Sequence, residues 1–454
     1  MATTRTDGTS GLPPGDVGAG GRGGPTDPSH DENLRRGILF TDVSRPVAAM
    51  LVGVFIATIY AVPMVQAVRD QMSGEESVLR ELFRRAPTRE NLRQFEDDLE
   101  KASTPREWVR PRMQALLTRY GRYGNTKAII GRDGWLYYAP GVTAVGGPGF
   151  LHPALIASRQ KDALDAGESA VHPDPRPAIL SFARYLGSRG IRLVFFPVPD
   201  KASLQPVELH GRERSLSAPP ARNPDTDRLF RELEQAGVLV FDANPEVLRA
   251  GEPPRFLVQD THWNARWMES VAADLGRFLV SRGAVAASQS GAAPRFRLQD
   301  RTVTRLGDVA DMLALGEGQT LFRPLSEAIH EVDDEKGAPF EPNEKASVLL
   351  LGDSFTNVFT LEQMGWGVSA GLGPHLARAL DRDVDVIARN DAGAHATRQL
   401  LFNALAGGED RLAGKTVVIW ELASRELAVG DFKPVDWDSL ARPGGAATPE
   451  GDRQ

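Results

Sequence analysis

Residues 46–65 read PVAAMLVGVFIATIYAVPMV, an apolar run with no charged residue inside it. About 20 such residues cross the hydrocarbon core of a bilayer as a helix, so the run predicts a transmembrane span. A buried helix of a soluble domain is the alternative. A cleaved leader fits less well, because the run starts after 45 residues and ends in VPMVQAVRDQ without a small-residue cleavage site. Residues 1–45 before it are dominated by Gly, Pro, Asp, Ser and Thr and predict a disordered tail. Residues 46–68 form the expected anchor. Over 69–126 charged and helix-forming residues alternate at mixed spacing, which predicts a solvated helical stalk, with a partner-binding coiled coil as the alternative.

From residue 127 the pattern changes. Short continuous apolar runs at 191–198, 238–243, 347–353, 384–389 and 416–423 predict strands, and amphipathic stretches at 178–190, 225–237, 265–283 and 395–408 predict helices between them. Strands that are apolar throughout must be covered on both faces. The expected fold class is therefore α/β, a three-layer α/β/α domain on a parallel sheet, occupying 127–430. Residues 284–346 lack this alternation and read as an insertion; 431–454 read as a flexible C-terminal tail.

Composition narrows the chemistry. The formal net charge of −7 offers no basic stripe to neutralise phosphates, which sets nucleic-acid binding aside. With no cysteine, disulfides, thiolate metal sites and cysteine nucleophiles are excluded.

Two short blocks carry candidate chemistry. In LLLGDSFTN an apolar strand runs into Gly352, Asp353 and Ser354, at the strand end where α/β folds place their sites. Ser354 would stand there as a nucleophile, with backbone N–H groups near a developing oxyanion. Taken alone, Gly-Asp-Ser is an ordinary turn. The second block is DTHW, in which Asp260 and His262 lie two apart and face one side of an extended segment. A serine hydroxyl needs an imidazole to take its proton, and the imidazole needs a carboxylate to fix its tautomer. The bland alternative makes Asp260 a helix N-cap and His262 a surface residue. No further His or acid cluster stands at ligand spacing, so neither metal nor cofactor is expected.

DTHW followed about ninety residues later by GDS resembles the SGNH hydrolase-like domain of the alginate O-acetyltransferase family, in which the Asp-His block precedes the serine block. GRDGWLYY (131–138), FFPVPDKASLQP (195–206), TRLGDVADML (304–313) and VVIWELASREL (417–427) resemble further pieces of that family in the same order. The resemblance implies acetyl transfer onto hydroxyls of an exported polysaccharide, with Ser354 as the acylated nucleophile, His262 as base and Asp260 as its partner. It also implies a membrane-bound O-acyltransferase as acetyl donor, and an inner-membrane anchor with the catalytic domain in the periplasm. The arginines flanking the span, Arg35, Arg36 and Arg45 before it and Arg69, Arg80, Arg84 and Arg85 after it, leave orientation open. An O-acetylesterase with the same triad and a non-catalytic export scaffold are the competing readings.

Softer candidates complete the site. Asn390 could donate its amide to an oxyanion or shape a turn with Asp391. Lys201 could contact substrate, seat a loop near the site, or be solvated. His375 and His395 read as helix-surface residues, and Trp135 and Tyr137 as hairpin packing.

Overall fold

The computed structural model describes residues 44–441 except 75–77, 81–83, 85, 103, 168, 212–217, 250, 289–293 and 391–392. The expected N-terminal tail up to residue 43 and the C-terminal tail from 442 lie outside the described residues. Contacts divide the chain into two units, Met1–Pro105 and Arg106–Gln454.

In the first unit the apolar run lies in the helix Arg45–Ser73, which has Pro46 in its first turn and is followed by Gly74 in the left-handed region, φ 74°. Its most apolar 18-residue window has a mean hydropathy of 2.2 and none of it is buried. At about 1.5 Å per residue it exceeds the roughly 30 Å of a bilayer core. A second helix, Arg89–Ala102, carries the charged stalk sequence. The stalk is not one element, however. The helix Thr104–Gly121 lies in the larger unit from Arg106 on, where it packs Ala115 on a small apolar cluster with Ala128, Leu136 and Val309.

Among the described residues the larger unit contains nine strands: β1 (Ala128–Ile130), β2 (Leu136–Tyr138), β3 (Arg192–Val198), β4 (Leu239–Val240), β5 (Arg297–Arg305), β6 (Leu325–Asp333), β7 (Val348–Gly352), β8 (Asp385–Ala388) and β9 (Val417–Ala423). Five of them form one sheet in the order β4-β3-β9-β7-β8, and each neighbouring pair is parallel. These are the five apolar runs of the sequence.

Alternate residues of each strand feed two different cores, as the two-residue period of a strand requires. Val194, Phe196, Leu350 and Ile419 face one core, built with Met268, Val271 and Leu275 of the helix Ala265–Ser281 and Leu376 of the helix Leu372–Leu380. Leu193, Phe195, Leu349, Leu351 and Trp420 face the other, with Ile179 and Phe182 of Pro175–Ser188, Leu229 of Thr226–Gln235 and Leu401 of Gly393–Ala406. The result is the three-layer α/β/α domain. Each fully buried leucine of β7 contributes about 2 kcal/mol of transfer free energy, which holds the strand that carries Ser354 rigidly in place.

The stretch 284–346 holds an antiparallel hairpin, β5 paired with β6 from Arg297↔Asp333 to Arg305↔Leu325. Neither strand is buried on two faces, β5 having no buried residue and β6 only Ile329 and Val332, so no apolar run announces them. Ile329 and Val332 alone among their buried residues anchor the hairpin in the first core.

Candidate active site

Ser354 is the first residue of a one-turn helix, Ser354–Asn357, directly beyond the end of β7. The turn before it is tied to the next strand. Asp353 caps the helix by accepting the Phe355 N–H at 2.8 Å, and its other oxygen accepts the Ala423 N–H at 2.7 Å at the end of β9. Glu421 of β9 accepts the Asp353 N–H at 3.0 Å and the Thr356 hydroxyl at 2.7 Å. Burial and the neighbouring Asp353 charge push the Glu421 carboxyl well above its ordinary range. Gly352 is required here because a Cβ would stand 2.1 Å from Thr356 Oγ1.

The second block arrives from the opposite side. Asp260 and His262 are both buried, and the imidazole Nδ1 lies 2.6 Å from Asp260 Oδ1. That oxygen also accepts the His262 N–H at 3.1 Å. The other, Oδ2, accepts the indole N–H of Trp366 at 2.9 Å and the Asp308 N–H at 3.0 Å. A carboxylate facing Nδ1 places the proton on that nitrogen and leaves Nε2 as the basic one. Nε2 is buried and has no hydrogen-bond partner among the described residues.

The two blocks meet at Phe355, the residue after Ser354. Its ring lies 4.9 Å from the His262 ring, edge to face, and its carbonyl accepts the Trp263 indole N–H at 3.1 Å. No hydrogen bond joins Ser354 to His262 among the described residues. The helix following DTHW is capped by Asn264, whose side chain accepts the Trp267 N–H at 2.9 Å, so Asp260 is not spent as a cap.

Electrostatics follow from these contacts. Burial alone would raise the Asp260 carboxyl, but its bond to His262 and the donors from Asp308 and Trp366 hold it well below the usual carboxylate range. Burial alone would lower the His262 imidazole. The bond and charge of Asp260, with the charge of Asp308, outweigh that and raise it above its ordinary value. Burial and then the Asp260 charge push Asp308 up to about 6.

Asp260, His262 and Asp308 offer ligand atoms within 4.8 Å of one another. The donor set does not suit a cation, because four N–H groups already occupy both oxygens of Asp260 and a proton lies between it and Nδ1.

The softer candidates separate. Lys201 is buried, and its ammonium lies 2.6 Å from the carbonyls of Leu136 and Leu257 and 3.0 Å from those of Val258 and Asp260. It seats the loop that carries Asp260 instead of facing solvent, and burial lowers its ammonium to about 7. Asn390 is exposed beyond β8, with its carbonyl oxygen accepting from the Asn357 amide at 2.8 Å; Asp391 lies outside the described residues. His375 is not a surface residue. It is buried where its helix packs on Ala265–Ser281, donates its Nε2–H to the His330 carbonyl at 2.9 Å, and is pushed down to about 4 by burial. His395 is half-buried. Trp135 and Tyr137 are buried at the β1–β2 hairpin.

Asp308, Trp366, Glu421 and Arg425 escaped the sequence reading as site residues. Asp308 lies inside TRLGDVADML, and Glu421 and Arg425 inside VVIWELASREL, blocks whose resemblance was the available signal.

Residues 128–424 match the family model described as the SGNH hydrolase-like domain of the acetyltransferase AlgX. Among solved structures, the O-acetyltransferase domain of Pseudomonas putida AlgJ aligns at 20% identity and a TM-score of 0.49, covering 70% of this chain and 98% of that one. Pseudomonas aeruginosa AlgX aligns at 14% identity and 0.43, covering 66% and 65%. Bacillus cereus PatB1 aligns at 13% and 0.39, covering 68% and 99%. No curated protein matches the chain.

Proposed function

The chain belongs to the SGNH hydrolase-like acetyltransferase family of AlgX, and from that premise we propose that it transfers acetyl groups onto hydroxyls of an exported polysaccharide through Ser354, His262 and Asp260. The observation that carries the mechanism is the unpartnered, buried Nε2 of His262, backed by Asp260 at 2.6 Å and packed against the residue after Ser354. In the proposed reaction Ser354 Oγ attacks the acetyl carbonyl as its proton passes to Nε2. The donor oxygen leaves with that proton, and an acetyl ester remains on Ser354. An acceptor hydroxyl then gives its proton to Nε2 and takes the acetyl group, restoring the serine.

Transfer and hydrolysis share this triad and differ in what resolves the acyl-enzyme. With an activated acetyl ester as donor, adding oligosaccharides of candidate exported polymers is expected to divert acetyl from water to sugar, read by mass spectrometry of the sugar. Acetate release with no acetylated sugar across that panel would favour the esterase.

His262 must be neutral to accept a proton. The rate should therefore rise with pH through its raised pKa, placing the acid limb of kcat/KM above the ordinary imidazole value of about 6.5. Asp308→Asn keeps an oxygen for the Thr261 N–H, bonded at 2.7 Å, but removes a charge that favours the imidazolium. The limb should move to lower pH in this variant; an unmoved limb would show that another group sets it.

The helix Arg45–Ser73 supports a single-pass membrane anchor; that the membrane is the inner one, that the catalytic unit faces the periplasm and that a membrane-bound O-acyltransferase is the acetyl donor are further parts of this proposal. A reporter fused after Tyr120 is expected to be active outside the cytoplasm. Activity confined to the cytoplasm would reverse this topology.

A further inference from the structure

Arg425 follows β9 and stands at the edge of the site with 11% of its side chain exposed. Two rings hold it: its guanidinium carbon lies 5.2 Å from the centre of Tyr138 and 5.6 Å from that of Phe355, the ring that also touches His262. The nearest carboxylate oxygens are Asp200 Oδ1 at 4.0 Å and Glu426 Oε1 at 3.9 Å, both beyond hydrogen-bond reach. Among the described residues its guanidinium makes no hydrogen bond. Burial raises both acids, Asp200 to about 6, and the Arg425 charge opposes that rise in each, so they act on the guanidinium through charge at a distance and fill none of its donors.

A guanidinium carries five N–H donors in a rigid fork and stays protonated. Leaving such a group nearly buried with its donors unfilled is costly unless a ligand fills them. Arg425 also lines a cleft of about 330 Å³, together with Thr126, Tyr138, Thr143, Glu426 and Val429. The positive charge is also felt at His262, whose protonation it opposes. The structural ties of the neighbouring segment do not use the Arg425 side chain: the Ser424 hydroxyl donates to Asp200 at 2.6 Å, its N–H donates to the Val198 carbonyl at 2.8 Å, and of Arg425 only the carbonyl is hydrogen-bonded among the described residues, by the Ala428 and Val429 N–H groups.

Building on the acyl-transfer reading above, we infer that Arg425 binds an anionic oxygen of the ligand brought to Ser354. That oxygen is either the oxyanion formed at the acyl carbonyl or a carboxylate on the sugar acceptor. In the first case Ser354 Oγ bonds to the carbonyl carbon, the C=O pair moves onto oxygen and the serine proton goes to His262 Nε2. Arg425 donates N–H to the resulting anion and no bond to it forms or breaks.

The test compares full-length wild type, Arg425→Gln, Arg425→Lys and Ser354→Ala in detergent. One arm measures kcat and KM for hydrolysis of an activated acetyl ester. The other measures, by calorimetry, binding of a uronate oligosaccharide and its carboxyl-reduced counterpart. An acyl oxyanion contact predicts that Arg425→Gln loses roughly 10²–10³-fold in kcat with KM little changed. An acceptor contact predicts about tenfold or more weaker uronate binding, with the reduced sugar unaffected. Arg425→Lys, which keeps the charge, should recover part of either loss. Wild-type values in both arms for Arg425→Gln would overturn the inference, as would equal losses in both Arg425 variants that track a lowered Tm. If Ser354→Ala is inactive while Arg425→Gln matches wild type, the Arg425 inference alone falls. If Ser354→Ala stays active, the acyl-enzyme reading falls and the calorimetric arm still decides Arg425.

Discussion

Ser354→Ala is expected to abolish turnover of an activated acetyl ester, a loss on the order of 10⁵–10⁶-fold, the scale at which removal of a triad nucleophile leaves catalysis to binding and the oxyanion site. The fold should survive. Ser354 is half-buried and its hydroxyl makes no hydrogen bond among the described residues, while the turn around it is held by Asp353, Thr356 and Glu421. Tm should therefore stay within a degree or two of wild type, since the change adds no cavity of consequence. The variant should also fail to take up a serine-reactive sulfonyl probe that labels the wild-type chain. Undiminished hydrolysis by folded Ser354→Ala protein would exclude the mechanism.

The second large effect is expected at Asp260, where one substitution acts on both rate and stability. Asp260→Asn should lower kcat by about 10⁴-fold, because an amide facing Nδ1 no longer holds the tautomer that leaves Nε2 basic. It should also destabilise the protein. Each carboxylate oxygen accepts two N–H groups, from His262 on one side and from Trp366 and Asp308 on the other. Either orientation of the amide turns an NH₂ toward buried donors. Loss of that pairing costs about 3 kcal/mol, the range for breaking a buried charged hydrogen-bond set. The two effects separate experimentally: urea unfolding measures the stability loss, and kcat measured far below the melting transition isolates the rate loss. A variant with both stability and rate near wild type would remove Asp260 from the proposed unit.

How much of this was legible in the chain depends on the range of the interaction. The central strands of the main sheet were legible because they are buried on both faces and must be apolar almost throughout, as in LVFFPV of β3 and VLLL of β7, while the edge strands β4 and β8 are only partly buried. The apolar run in Arg45–Ser73 was legible for a similar reason, a continuous composition over a fixed length. The β5–β6 hairpin was not, because nearly all of its residues are exposed or only partly buried and impose no pattern. The chemistry of Asp260 with His262 was readable because the partners are two residues apart.

Tertiary structure decided whatever depends on partners distant along the chain. Trp366 and Asp308 reach Asp260 across 106 and 48 residues, and Glu421 reaches the Ser354 turn across 68, separations at which sequence carries no geometric signal. Lys201 shows the same limit from the opposite direction. A lysine after PVPD reads equally as a substrate contact, a loop anchor or a solvated charge, and the folded backbone chooses by closing four carbonyls around its ammonium. Sequence by itself determined the layered α/β/α architecture and the candidate residues of the proposed acyl transfer, because burial on two faces and short-range spacing are local constraints. Which nitrogen of His262 is left basic, and which charged groups surround it, was decided by folding, because burial and long-range hydrogen bonds exist only once the distant segments are packed together.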